Sequence, residues 1–137
     1  MIYKTISVKD CSFTRNKFKD DKCNIEIQGD GTETRAFCYV EDAVKQIYFL
    51  MENGKNNNIY NVGINNEITI ADLVSNISKI LNIKVDIIKS NVKLGSTKRR
   101  CPDTKKIESL GFQLKDSFPK GLTQTVIWYK EYFLNKS

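Results

Sequence analysis

Along this chain the apolar positions change period several times, and each change marks an element. Asn24–Gln28 alternates, with Ile25 and Ile27 on one face, as a half-buried strand does. The alternation breaks at Gly29-Asp30-Gly31, where Asp-Gly predicts a hairpin because both turn positions must tolerate positive φ. It resumes over Ala36–Val40, with Phe37 and Tyr39 on one side of the predicted strand. From Asp42 the period becomes helical: Ala43, Val44, Ile47, Leu50 and Met51 share a face, and Asn53-Gly54 is a good stop.

A polar loop over Lys55–Asn58 leads to Asn58–Gly63, which reads as a buried strand entering a turn. Thr69-Ile70-Ala71-Asp72 has the form of a helix cap, a hydroxyl followed three residues later by an acid. Ile70, Leu73, Val74, Ile77, Ile80 and Leu81 then form an apolar stripe that Asn82 closes, and Val85–Ile88 is a further strand. Lys89–Cys101 is a basic loop. Asp103 caps a short helix that ends at Gly111, and Pro119 opens a last helix with Leu122, Val126, Tyr129 and Phe133 on one face. Trp128 lies beside that stripe, where packing is its expected role. Residues 1–23 are poorly patterned: Met1–Val8 reads as a strand, Lys17–Lys22 is charged, and local disorder or a frayed helix around Phe13 and Phe18 is the expectation. The pattern therefore predicts a mixed α/β domain of short strands and about four helices over residues 24–137, preceded by an unpatterned segment over 1–23.

Composition narrows the chemistry. The 137 residues contain no histidine, which removes the commonest general base, the Ser-His and Cys-His pairs and most zinc sites. The cysteines (Cys11, Cys23, Cys38 and Cys101) show no CxxC spacing and are expected to be free thiols. No apolar run approaches the roughly 18 residues a membrane span needs, and no signal-peptide pattern opens the chain, so the cytoplasm is the expected compartment. A net charge of +6 raises the question of nucleic acid. Its local concentration is only Lys93 and Lys98-Arg99-Arg100, and a small phosphate-bearing ligand accounts for isolated arginines more economically. A basic nucleic-acid-binding domain is the weakest reading.

Four passages, in order, resemble the extended short-chain dehydrogenase/reductases, the NAD-dependent nucleotide-sugar epimerases, dehydratases and decarboxylases. Gly29-Asp30-Gly31-Thr32-Glu33-Thr34-Arg35-Ala36-Phe37-Cys38-Tyr39-Val40-Glu41-Asp42 is similar to that family's GDGxQTRxFxYVxD segment. Ile59–Gly63 with Glu67–Ile70 resembles its YNVG…ExxTI passage, and Lys98–Asp103 its KRRxPD element. Leu110-Gly111-Phe112 with Gly121-Leu122 and Ile127-Trp128-Tyr129 resembles LGW…GLxxTIxWY. The resemblance implies the small C-terminal lobe of such an enzyme without its Rossmann domain. It implies that Arg35 contacts a substrate diphosphate and that Arg100 is a second substrate-binding arginine, with Glu33, where relatives carry Gln, and Tyr39 beside them. UDP-sugars are the implied substrates.

In that family a glycine-rich turn holds NAD and a Tyr-Lys pair moves protons while a sugar carbon is transiently oxidised. Neither GxxGxxG nor GxGxxG follows a strand here, and the positions four after Tyr39 and Tyr48 are Ala43 and Glu52, not Lys. The expectation is a truncated or split enzyme. It binds a nucleotide diphosphate, lacks catalytic residues and a cofactor of its own, and is inactive without a Rossmann-lobe partner chain. The alternative is a non-catalytic domain that binds a nucleotide sugar or a protein, and the expected protein partner is either a separate Rossmann-lobe chain or a further copy in a homo-oligomer.

Overall fold

The computed structural model describes residues 6–7, 22–92 and 94–135. The described residues form two small three-stranded sheets and four helices, in agreement with the predicted class. In the first sheet, β1 (Ile6–Ser7) lies antiparallel to β2 (Lys22–Gln28), and β5 (Lys84–Ser90) lies parallel to β2 on its other side. The second sheet is much shorter. Its central strand β3 (Thr34–Arg35) runs antiparallel to β4 (Ile68–Thr69) and parallel to β6 (Arg99–Arg100), so that Arg35 and Arg100 are register partners.

The core forms where the apolar face of the first sheet meets a helix. Ile27 of β2 packs against Ile70 and Val74 of α2 (Ile70–Leu81), with Ile25, Phe37, Val85 and Ile87 around them. That helix follows its sequence signals. Thr69 Oγ1 accepts the Asp72 N–H at 3.0 Å, and Asn82 takes the left-handed conformation at the other end. Leu73, Ile107 and Leu122 are also buried, tying in α3 (Lys105–Glu108) and α4 (Phe118–Asn135). The last helix opens around Pro119 and the short one stops before Gly111, as the breakers required.

Several local expectations are corrected. Asp30-Gly31 does not make a hairpin. Gly29 N–H bonds Ser90 O at 2.9 Å, Ala71 N–H bonds Gly31 O at 3.0 Å, and the chain crosses from one sheet to the other. Ala36–Tyr39 is not a strand, because the ladder ends at Arg35 with one further bond, from the Ala36 N–H to Arg100 O at 3.1 Å, before α1 (Val40–Asn53) begins. Phe37 instead stacks on Phe118 at 5.8 Å, and Asn58–Gly63 is irregular. The Gly63 N–H bonds the buried Gln46 amide oxygen at 2.9 Å, Asn61 Nδ2 bonds Asp103 O, and the Tyr60 hydroxyl takes the Lys55 N–H.

Cys38 and Cys101 are free, but Cys23 is disulfide-bonded, against the expectation of free thiols. A disulfide needs two sulfurs close in space, which spacing along a chain does not report. The expected strand over Met1–Val8 is seen only as Ile6–Ser7. Its remainder, the charged run before Lys22, Phe13, Phe18, Lys93 and the side chain of Phe133 lie outside the described residues.

The largest departure is α1. Its predicted apolar stripe faces solvent: Val44 is 57%, Ile47 50% and Met51 79% exposed, and Val40 and Tyr48 continue the stripe. Its polar edge is the buried one. Asp42 accepts the Ser117 N–H at 3.0 Å and the Ser117 hydroxyl at 3.1 Å, while Gln46 holds Gly63.

Candidate anion-binding site

The turn after β2 is built to be rigid. Gly29 and Gly31 have φ of +83° and +90°, and a Cβ on Gly29 would meet the Glu33 carboxylate at 1.8 Å. That carboxylate accepts the Gly31 N–H at 3.1 Å, and Asp30 Oδ1 accepts both the Thr32 N–H and hydroxyl. The chain is thus fixed just ahead of Arg35.

Arg35 pairs with neither Glu33 nor Asp42, two acids close to it in sequence. Its Nη1 donates to Thr34 O at 2.6 Å and Lys98 O at 3.2 Å, and its Nη2 to Thr97 O at 2.9 Å. Carbonyl partners orient the guanidinium without cancelling its charge. It borders a cavity of about 560 Å³ shared with Glu33, Asp30, Lys89, Ser90, Thr97 and Lys98. Three cations face two carboxylates there. Two hydrogen bonds from Thr32 hold the Asp30 carboxyl below its ordinary range, and Lys89 and Lys98 add attraction.

Arg100 donates from Nε to the Thr97 hydroxyl at 2.8 Å. Both expected arginines therefore grip Thr97, Arg35 by its carbonyl and Arg100 by its side chain. Sequence reasoning missed Thr97, which carries no signal beyond lying three residues before Arg100. Arg100 does not line the cavity that Arg35 borders; it borders a second one of about 580 Å³ with Cys38, Gly63, Cys101 and Pro102. Burial pushes both thiols up, with Asp42 and Asp116 adding to the effect at Cys38 and a hydrogen bond to Glu67 at Cys101. Tyr39 lines neither cavity. It precedes α1 and lies against Gly121, where a Cβ would meet its ring at 2.3 Å.

What the site offers is a grip for an anion with hydroxyl-bearing neighbours. A dinucleotide does not fit at the glycine turn. That turn leads to a strand, and the first N–H groups of the nearby α2 are taken by Glu33 O, Gly31 O and Thr69 Oγ1. Among the described residues no three metal-ligating side chains cluster, and no helix is long and apolar enough to cross a membrane.

Known proteins are similar to this chain in sequence and fold. Residues 11–63 match the model of the NAD dependent epimerase/dehydratase family. A putative GDP-L-fucose synthase 2 from Arabidopsis thaliana is 31% identical over 124 residues, covering 88% of this chain and 38% of the relative. The dTDP-D-glucose 4,6-dehydratase of Homo sapiens is 29% identical over 80% of this chain and 33% of its own length. Among solved structures, a UDP-N-acetylglucosamine 4-epimerase from Methanobrevibacter ruminantium in complex with UDP-N-acetylmuramic acid superposes with a TM-score of 0.71. It is 27% identical over 78% of this chain and 34% of that one. The UDP-glucose 4-epimerase of Thermotoga maritima, solved with UDP-glucose, gives the same TM-score and identity over 78% and 35%. The chain spans 16–38% of the length of the first curated relatives it matches.

Proposed function

Because this chain belongs to the NAD dependent epimerase/dehydratase family, we propose that it forms the substrate-binding lobe of a nucleotide-sugar-modifying enzyme. Its own task is to hold the diphosphate of a UDP-sugar with Arg35 and Arg100. The observation that carries this reading is the convergence of the two arginines, register partners on β3 and β6, on the single residue Thr97. A diphosphate presents several anionic oxygens, and two oriented guanidinium groups match it better than a mobile lysine pair would. The carbonyl partners of Arg35 supply orientation before the ligand arrives, which lowers the entropy lost on binding.

NAD and the proton-transferring pair belong, in this proposal, to a dinucleotide-binding lobe on the same or another polypeptide. The exposed face of α1 is the surface on which that lobe would sit. Val40, Val44, Ile47, Tyr48 and Met51 form a contiguous apolar stripe of the kind that marks an interaction surface. The same stripe supports a second reading, a protein-binding domain without catalysis.

A titration with UDP and UDP-glucose, followed by amide NMR shifts, decides between them. The expected result is saturable shifts around Arg35, Thr97 and Arg100, weakened about tenfold or more in Arg35→Ala, since a charge-assisted hydrogen bond contributes about 1.5–3 kcal/mol. A folded chain showing no shifts at millimolar ligand would remove the nucleotide-sugar reading and leave the interaction domain.

A further inference from the structure

Glu67 stands one residue before β4, and its side chain reaches both other strands of the second sheet. Its Oε2 accepts the Thr34 hydroxyl of β3 at 2.7 Å. Its two oxygens accept the Arg99 Nε of β6 at 2.9 and 3.1 Å, and Arg99 Nη2 completes a forked pair on Oε1. Only 19% of the Glu67 side chain is exposed, against 68% for Arg99.

Each strand of this sheet has two residues, so few backbone bonds define the spacing between them. One carboxylate stitches all three. The residues just after its partners are the two arginines of the anion site: Arg35 follows Thr34, and Arg100 follows Arg99. An ion pair as open to water as this one adds little to global stability. A forked pair combined with a third hydrogen bond does fix direction and register. The pairing also occupies Arg99 with a carboxylate, whereas the partner of Arg100 is the neutral Thr97 hydroxyl, which leaves its charge for a ligand.

We propose that Glu67 is a positioning residue that sets the separation of Arg35 and Arg100 and thereby makes the site select a diphosphate over a single phosphate. The proposal rests on the reading of Arg35 and Arg100 as a nucleotide diphosphate grip. Glu67 touches no ligand itself. A single phosphate is satisfied by one guanidinium fork and is indifferent to where the second arginine lies. A diphosphate gains from both only when they are held at a matched distance. Loss of the carboxylate releases Arg99 as a further mobile cation, which adds unselective attraction for any anion.

The test compares UDP with UMP by isothermal titration of the full chain, in the wild type, Glu67→Gln, Arg100→Ala and the double variant, with thermal melts alongside. In Glu67→Gln the preference for UDP over UMP falls about tenfold, the loss of one charge-assisted contact, while UMP affinity holds or rises. In the Arg100→Ala background the further change to Gln leaves that preference unmoved, because the second arginine is already gone. Should Glu67→Gln fail to fold, Thr34→Val removes one stitch and keeps the ion pair, and its UDP preference falls by a smaller factor. An unchanged preference in a folded variant, equal loss of both ligands, or additive effects in the double variant would each overturn the proposal. Wild-type protein that binds neither nucleotide would instead remove the diphosphate-grip reading on which it stands.

Discussion

Arg35 acts as an oriented cation because of what lies beside it in space. Acids at positions 33 and 42 offer it obvious partners in sequence, yet Glu33 is spent on the Gly31 N–H and Asp42 on Ser117. Carbonyls from Thr34, Thr97 and Lys98 take the guanidinium instead. Gly29 makes this possible, since its positive φ and missing Cβ leave the space that the Glu33 carboxylate fills. Gly29→Ala should destabilise the fold by about 1–3 kcal/mol, from backbone strain plus displacement of Glu33, and weaken UDP binding in parallel. Chemical denaturation with a matched titration checks both. At Cys38 and Cys101 the raised thiol pKa values keep sulfur protonated at neutral pH. Alkylation by iodoacetamide should therefore be slower at pH 7 than for a free cysteine peptide, and mass spectrometry of the modified peptides measures it.

At the scale of elements, the two sheets are held by different means. The first has two seven-residue strands in register, β2 and β5, and an apolar face closed by α2, so its stability lies in burial. Leu73→Ala or Ile27→Ala should cost about 2–5 kcal/mol. The second sheet depends on side chains, and Glu67 makes it sensitive to acid. Hydrogen bonds from Thr34 and Arg99 hold the Glu67 carboxyl below its ordinary range. A carboxylate with a depressed folded-state pKa contributes stability above its unfolded value, and that contribution is lost as pH falls through the folded value. The difference in melting temperature between wild type and Glu67→Gln should be fully present above about pH 5 and close below it. Melts across pH 2.5–7 follow the trend; a gap that widened with acid would contradict the assignment.

For the molecule as a whole, α1 is the element that points outward in more than one sense. It is anchored by buried polar groups, Asp42 and Gln46, and presents its apolar stripe to solvent. Ile47→Asp should then leave the chain's own stability within about 0.5 kcal/mol, because no described packing is lost. The same change should abolish association with a dinucleotide-binding lobe, measurable by analytical ultracentrifugation of the mixed chains. The sequence by itself determined the α/β class, the caps of α2, the helix breakers and the family resemblance, because these rest on local backbone preferences and on motifs contiguous in the chain. It also identified the apolar face of α1, since periodicity reports a face. Only the tertiary structure decided that this face is uncovered, that Gly29–Gly31 crosses between sheets instead of folding back, that Cys23 is bonded, and that Thr97 and Glu67 join the arginines. The crossing at Gly29–Gly31 and the contacts of Thr97 and Glu67 are meetings of residues far apart in sequence, as are Arg35 and Lys98, 63 positions apart. What such residues meet is set by strand pairing and packing of the whole chain, which no local pattern encodes.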